Sequence, residues 1–113
     1  MYKKVDSEVV ERLRQIVGAD DVLTDAHDME PYSHDEVVGL RADPEVVVRA
    51  ASAGQVSQIF QLAQRERIPV TPRGAGMGLS GGAVPVCGGI ILSLERMNRI
   101  LEIDKENLMV TVE

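Results

Sequence analysis

Apolar positions recur with the period of a helix in some parts of the chain and with that of a strand in others, and these periods predict its helices and strands. Near the start, apolar residues return every three or four positions, which is the period of an amphipathic helix. These residues are Val9, Val10, Leu13, Ile16 and Val17. Asp6 or Ser7 can cap this helix at its beginning, and Gly18 is placed to end it. Because such stripes usually face a core, we expect the helix to pack against the domain.

Residues 19–44 form a polar segment interrupted by proline and glycine, which predicts loops with at most one short helical turn. His27 and His34 stand beside Asp28 and Asp35, and imidazole and carboxylate groups are common metal ligands. No regular helix presents these four side chains together, and a solvated acidic surface explains the same residues. We therefore expect no metal site in this segment.

A strand, a helix and a second strand are predicted in the middle of the chain. The run Val46–Val48 is apolar and β-branched, as is typical of a buried strand. Ser52 and Gln55 have the spacing of a capping box at the start of a helix that Pro69 ends. The predicted buried face of that helix consists of Val56, Ile59, Phe60 and Ala63. The second strand follows at residues 70–72, and such a βαβ unit should be parallel and right-handed.

Further strands are predicted after a glycine-rich stretch, so the fold class is α+β, a βαβ unit with additional strands. One strand covers residues 90–94. A hairpin follows, with arms at residues 100–103 and 108–112 around a polar turn. Its second arm alternates, and this alternation places three side chains inward. They are Leu108, Val110 and Val112.

Glycine is concentrated directly after the second strand of the βαβ unit, where seven of the ten glycines lie between Gly74 and Gly89. Without a Cβ atom, the main chain can turn so that consecutive N–H groups converge on an anion, most often phosphate. Arg73 adds a fixed positive charge at the mouth of this loop. We therefore predict a pyrophosphate-binding loop at the carboxyl end of the strand. Its residues are Arg73, Gly74, Ala75, Gly76, Met77, Gly78, Ser80, Gly81 and Gly82.

Two common phosphate motifs do not fit this loop. The stretch from Gly76 to Gly81 matches G-x-G-x-x-G, but in a dinucleotide fold that motif must open a helix. Further glycines and a proline follow here and would break a helix. The same glycines have Walker A spacing, but Gly82 and Ala83 stand where Lys and Ser or Thr are required. A P-loop nucleotidase is thereby excluded.

Composition and charge narrow the class of protein. A chain of 113 residues corresponds to about one domain. A formal net charge of -6, without a basic patch, argues against binding to nucleic acid. There is no apolar run near the length of a membrane span and no signal-peptide pattern, so we expect a soluble, cytoplasmic protein. The single cysteine, Cys87, excludes an intrachain disulfide.

The stretch from Ile68 to Glu102, IPVTPRGAGMGLSGGAVPVCGGIILSLERMNRILE, closely resembles the flavin-binding (PCMH-type) domain of the vanillyl-alcohol oxidase type of FAD-linked oxidases. The combined runs RGAGxGLSGGA and LSLERMNRIL are far more specific than a lone glycine pattern. Within that superfamily the sequence looks most like the D subunit of glycolate oxidase and its D-lactate and D-2-hydroxyglutarate dehydrogenase relatives. Relatives usually have Thr where Met77 stands, so a hydroxyl contact to phosphate is lost while the backbone amide remains.

The resemblance implies a cofactor and a reaction. The loop would hold the FAD pyrophosphate through its backbone amides. We expect this FAD to be non-covalent, because the histidine that tethers the flavin in some relatives is absent between Arg73 and Gly82. The implied enzyme oxidises a 2-hydroxy acid of the glycolate or D-lactate type by transferring a hydride from the α-carbon to flavin N5. Its electrons would then pass to a partner such as an iron–sulfur subunit.

The resemblance also implies how the chain is organised. Residues 1–43 would form an N-terminal helix and loops, and residues 44–113 the pyrophosphate-binding βαβ unit and its additional strands. We expect the remainder of the FAD domain and the substrate domain to be absent. No residue is a credible general base, so we assign no catalytic residue and expect the isolated chain to be inactive and to self-associate through exposed strands. One alternative stays open, a stand-alone nucleotide- or phosphate-binding module without catalysis.

Overall fold

The chain forms a mixed sheet, three helices and a separate hairpin, and the computed structural model describes every residue from Met1 to Glu113. The helices are α1 (Ser7–Val17), α2 (Ala26–Met29) and α3 (Ala53–Glu66). The strands are β1 (Val22–Leu23), β2 (Val46–Arg49), β3 (Val70–Arg73), β4 (Ile90–Ser93), β5 (Ile100–Asp104) and β6 (Met109–Val112). The predicted α+β fold class is confirmed. No helix of the chain has both the length and the apolar character needed to cross a bilayer.

The main sheet has the strand order β1-β2-β4-β3. Strands β2 and β3 both run parallel to β4, which lies between them, whereas β1 pairs antiparallel with β2. The two strands of the βαβ unit are therefore parallel, as predicted, but they are not neighbours. The last strand of the sheet fills the gap between them, so that three parallel strands end at one edge.

The core lies between the sheet and the two long helices. Valine and isoleucine side chains of β2 and β4 meet the buried stripes of α1 and α3 there. Its largest members are Val9, Leu13, Val46, Val48, Ile59, Leu62, Ile90 and Leu92. Val47 and Ile91 point to the opposite face and are also fully buried, so the centre of the sheet is covered on both sides. Burial on both faces explains why β2 and β4 are continuous apolar runs.

The first helix begins and ends as its sequence predicts. The Asp6 carboxylate accepts a hydrogen bond of 2.9 Å from the Val9 N–H, which satisfies one of the open donors of the first turn. Gly18 adopts a φ of 93° and donates its N–H to the Arg14 carbonyl at 2.8 Å. These two caps set the length of α1 and with it the position of its buried stripe.

The third helix follows its prediction at the start but departs from it on one face. The Ser52 hydroxyl accepts from the Gln55 N–H at 3.2 Å, as the capping box predicts. Phe60 was expected in the core but is 45% exposed, whereas Leu62 is only 2% exposed. Phe60 stands one residue after buried Ile59, which turns it about 100° away from the buried side of the helix. The helix ends at Glu66, before Pro69 is reached.

The segment between α1 and β2 contains more structure than the predicted loops. Besides α2 and two 3-10 turns, Val22 and Leu23 form β1 and pair with Val48 and Val47. Two residues are too few to show an alternating pattern, so sequence periodicity could not reveal this strand. Its pairing fixes the start of the polar segment against the edge of the sheet.

The predicted hairpin is present, but its apolar side chains do not point inward. Ile100 pairs with Val112 and Ile103 with Val110, which brings all four to one face, and this face is exposed. Leu108 lies in the turn and is 91% exposed. The hairpin pairs only with itself and not with the main sheet, so nothing in this chain covers that face.

Stability measurements can test whether Leu62, and not Phe60, belongs to the core. We expect Leu62→Ala to lower the free energy of unfolding by about 2–4 kcal/mol, because it leaves a cavity under α3. Phe60→Ala, the matched control on the same helix, should cost about 1 kcal/mol or less. Urea denaturation followed by circular dichroism measures both. Equal losses would show that the helix is rotated from the position described.

Candidate functional site

Three parallel strands end at one edge of the sheet, and the chain segments that leave two of them enclose a cleft. The glycine loop, residues 74–82, follows β3, and residues 94–98 follow β4. The cleft between them has a volume of about 440 Å³. It is lined by Pro31, Tyr32, Arg73, Gly74, Ala75, Leu94, Glu95, Met97 and Asn98. Carboxyl edges of parallel sheets are the usual place for ligands in α/β proteins.

The main chain of the glycine loop keeps its donors unpaired. No N–H group from Gly74 to Gly82 donates a hydrogen bond to another group of the chain. The loop is held through its carbonyls instead. Gly78 O accepts from the Glu36 N–H at 3.0 Å, and Gly81 O accepts from the Val84 N–H at 3.1 Å. A continuous set of amide donors is therefore available to an acceptor outside the chain.

Four of the five glycines of the loop fall into two classes. Gly76 and Gly81 adopt φ values of 72° and 78°, and a Cβ atom there would lie 2.0 Å from Arg73 Nη2 and 2.5 Å from Leu40 Cδ2 respectively. Glycine is favoured at these two positions by the positive φ, and a side chain there would also have to displace the end of Arg73 or Leu40. A Cβ atom at Gly74 or Gly82 would meet nothing within 4 Å, and neither residue has a positive φ. Their lack of a side chain leaves room on the outer surface of the loop.

Arg73 lies beneath the loop and not at its mouth. Its side chain is largely buried, and its two terminal nitrogens donate to the carbonyls of His34 at 2.7 Å and Pro31 at 2.9 Å. The guanidinium carbon is 5.5 Å from the centre of the Tyr32 ring, within the range of a cation–π contact. The other predicted residues are exposed, except that Gly76 and Gly81 are half-buried.

Tyr32 and Glu95 are cleft residues that lie outside the predicted set of loop residues. The Tyr32 hydroxyl donates to Glu95 Oε1 at 2.9 Å, across a separation of 63 positions in the sequence. Burial raises the pKa of the Tyr32 phenol above its usual 10.0, and the hydrogen bond to Glu95 raises it further. Periodicity and short motifs give no signal for this contact, because it joins residues far apart in the sequence.

Asp35 is a buried carboxylate beside the glycine loop. The residue is 7% exposed, and its Oδ1 accepts from the Val37 N–H at 2.9 Å. Its Oδ2 has no partner and would lie 3.8 Å from a Cβ atom placed on Gly78. Asp35 therefore shapes the turn that carries the Glu36 N–H to the loop.

A family model described as an FAD binding domain matches residues 44–113. The chain is 42% identical to a D-lactate dehydrogenase of Anaerostipes hadrus over 99% of its own length and 24% of that protein. It is 34% identical to the glycolate oxidase subunit GlcD of Bacillus subtilis over 96% of its length and 23% of that subunit. The chain thus spans about a quarter of the length of these relatives.

Solved structures agree with this result. An alkyldihydroxyacetonephosphate synthase superposes with a TM-score of 0.81 over 96% of this chain and 22% of that protein, at 20% identity, which shows the fold alone. A p-cresol methylhydroxylase superposes with a TM-score of 0.78 over 92% of this chain and 22% of that protein, at 28% identity. The fold of this chain therefore also occurs as a part of much larger proteins.

The Tyr32 to Glu95 contact predicts a titration difference. In a Tyr2→Phe background Tyr32 is the remaining tyrosine, and the pH midpoint of its phenolate absorbance should lie above the ordinary value for tyrosine. Glu95→Gln should lower this midpoint, because it removes the charge of the hydrogen-bond acceptor. Since the folded-state pKa is raised, this group's contribution to stability is complete below pH about 10 and is lost as the pH rises through the folded-state value.

The control for this titration is Glu102→Gln, which removes an exposed carboxylate of the hairpin. It should leave the midpoint of Tyr32 unchanged. Equal midpoints for Glu95→Gln and for the parent protein would contradict the contact.

Proposed function

This chain belongs to the FAD-binding domain family, and on that premise we propose that its glycine loop holds the pyrophosphate of FAD. Residues 44–113 would be the pyrophosphate-binding part of the domain, and residues 1–43 its N-terminal helix and loops. The donors would be the backbone N–H groups of the predicted loop residues. They belong to Gly74, Ala75, Gly76, Met77, Gly78, Ser80, Gly81 and Gly82.

The observation that carries this proposal is the unpaired set of amide donors at the carboxyl edge of the sheet. A pyrophosphate presents several anionic oxygens, each of which accepts hydrogen bonds from main-chain N–H groups. The open space at Gly74 and Gly82 would let such a group approach the backbone closely. The guanidinium group of Arg73 packs against Gly76 of the same loop and has only carbonyl partners, so its positive charge favours an anion bound at the loop.

Each part of the loop would contribute differently to binding. Met77 would offer its N–H only, because its side chain is exposed and apolar. Ser80 is exposed and adds a hydroxyl donor beside its N–H. Since no residue from Arg73 to Gly82 is a histidine, we propose that the FAD is bound without a covalent bond to this loop. Tyr32 and Glu95 would border the adjoining cleft and restrict its width.

We also propose an activity for the whole protein, which rests on its relatives and not on a catalytic residue of this chain. The relatives named above are a D-lactate dehydrogenase and a glycolate oxidase subunit, which supports a 2-hydroxy acid of that type as the substrate. When bound, FAD supplies the acceptor for the hydride that leaves the substrate α-carbon. One of these relatives is a subunit, which supports a partner protein for the whole enzyme. We propose that this partner accepts the electrons and is an iron–sulfur protein or another electron carrier.

Alanine substitutions at the two open glycines test the loop as the pyrophosphate site. We expect Gly74→Ala and Gly82→Ala to leave the melting temperature nearly unchanged, because the added methyl group meets nothing in the chain. At least one of them should weaken FAD binding by about tenfold or more, since one charge-assisted hydrogen bond is worth about 1.5–3 kcal/mol. Titration calorimetry with FAD, and with ADP as a second ligand, measures this.

Gly54→Ala is the matched control, because it adds the same methyl group outside the loop, with no contact shorter than 3.8 Å. It should bind FAD like the parent protein. Unchanged affinity in both loop variants would place the pyrophosphate elsewhere. Equal affinity of the parent protein for FAD, ATP and inorganic pyrophosphate would favour a general phosphate-binding module.

A further inference from the structure

Arg73 is a buried cation that forms no ion pair with any carboxylate of the chain. It is 8% exposed, and its partners are two carbonyl oxygens and the face of Tyr32. Arg49, at the end of strand β2 on the other side of β4, instead lies 3.2 Å from a carboxylate oxygen of Asp21. Burying an unpaired charge is costly, so the position of Arg73 calls for a specific role.

The carbonyls that Arg73 binds belong to a segment that also contacts the far side of the glycine loop. We call residues 31–37 the brace. Arg73 joins the start of the loop to Pro31 and His34, and the Glu36 N–H joins the brace to Gly78 O at 3.0 Å. The stretch from Arg73 to Gly78 is thus held to the brace at both ends.

The brace has its own internal supports, so it can act as a rigid backing. Ser33 is fully buried, and its hydroxyl donates to Glu30 O at 2.6 Å. The Ala42 N–H donates to Ser33 O at 3.0 Å, and Asp35 accepts from the Val37 N–H at 2.9 Å. These bonds fix the carbonyls that the Arg73 side chain reaches.

The guanidinium group also fills the space directly beneath Gly76. A Cβ atom on Gly76 would lie 2.0 Å from Nη2 and 2.5 Å from Cζ of Arg73. The flat group therefore packs against the backbone where the loop turns through a φ of 72°. An ammonium group on a flexible stem has neither this planar shape nor two separate nitrogens for two carbonyls.

We propose that Arg73 is a positioning residue, which holds the glycine loop against the brace in the shape that presents its N–H groups, and which does not itself bind the ligand. This inference rests on the proposed function of the loop as a pyrophosphate site. The affinity for ligand then depends on the planar geometry of the arginine and not on its charge alone. A charge-conserving lysine should therefore fail to replace it.

The first test compares Arg73→Lys and Arg73→Ala with the parent protein in titrations with FAD and with ADP. We expect Arg73→Lys to lower the affinity for FAD and for ADP by the same factor, roughly 10- to 100-fold, because two charge-assisted hydrogen bonds are disturbed. Millimolar methylguanidinium should restore binding to Arg73→Ala, whereas methylammonium should not. A lysine variant within about twofold of the parent protein, or equal rescue by methylammonium, would overturn the inference.

The second test needs no ligand and separates this inference from the proposed function. Amide hydrogen exchange at Glu36 reports the bond to Gly78 O, and it should become faster in Arg73→Lys. Arg49→Ala is the control, since it removes another arginine side chain that donates to a main-chain carbonyl, 2.7 Å to Asp20 O, outside the brace. Unchanged exchange at Glu36 in Arg73→Lys would overturn the bracing. If the parent protein bound neither FAD nor ADP, the proposed function would fail, and Glu36 exchange would still decide the role of Arg73.

Discussion

The glycine loop must keep its shape although its main-chain N–H groups have no partners inside the chain, and the rest of the structure meets this constraint. The loop from Gly74 to Gly82 is largely exposed and makes no N–H hydrogen bond within the chain, so its shape needs support from elsewhere. The support comes through the loop's carbonyls, through the brace, and through Arg73 beneath Gly76. The chain thus supports the loop through its carbonyls and leaves its N–H groups without partners inside the chain.

The sheet topology explains where this loop lies. With β4 between β2 and β3, the carboxyl ends of three parallel strands reach one edge. The loop and the segment after β4 leave from adjacent strands there and form the two walls of the cleft. The buried runs of β2 and β4 make this edge rigid, because both faces of the sheet centre are packed. Such a scaffold suits a cofactor domain, in which the loop must keep its shape while the ligand binds.

Local patterns predicted the parts of the fold that depend on neighbouring residues, and missed those that depend on distant ones. The caps of α1, the capping box of α3 and the glycine loop follow from residues a few positions apart. Periodicity does not report contacts between residues far apart in sequence. Such contacts determine the central place of β4, the pairing of β1 and the bonds from Arg73 to Pro31 and His34. The exposed apolar face of the hairpin was wrongly predicted to point inward for the same reason, since alternation shows that a face is apolar but not what covers it.

An amide chemical-shift titration of ¹⁵N-labelled protein with FAD tests directly whether the glycine loop binds the cofactor. The largest changes should fall on the N–H resonances from Gly74 to Gly82, with smaller ones at Tyr32 and Glu95. ADP should reproduce the changes in the loop, because it carries the same pyrophosphate. Saturable binding with loop resonances unmoved, and with the changes concentrated on another surface such as the groove between α1 and α3, would contradict it.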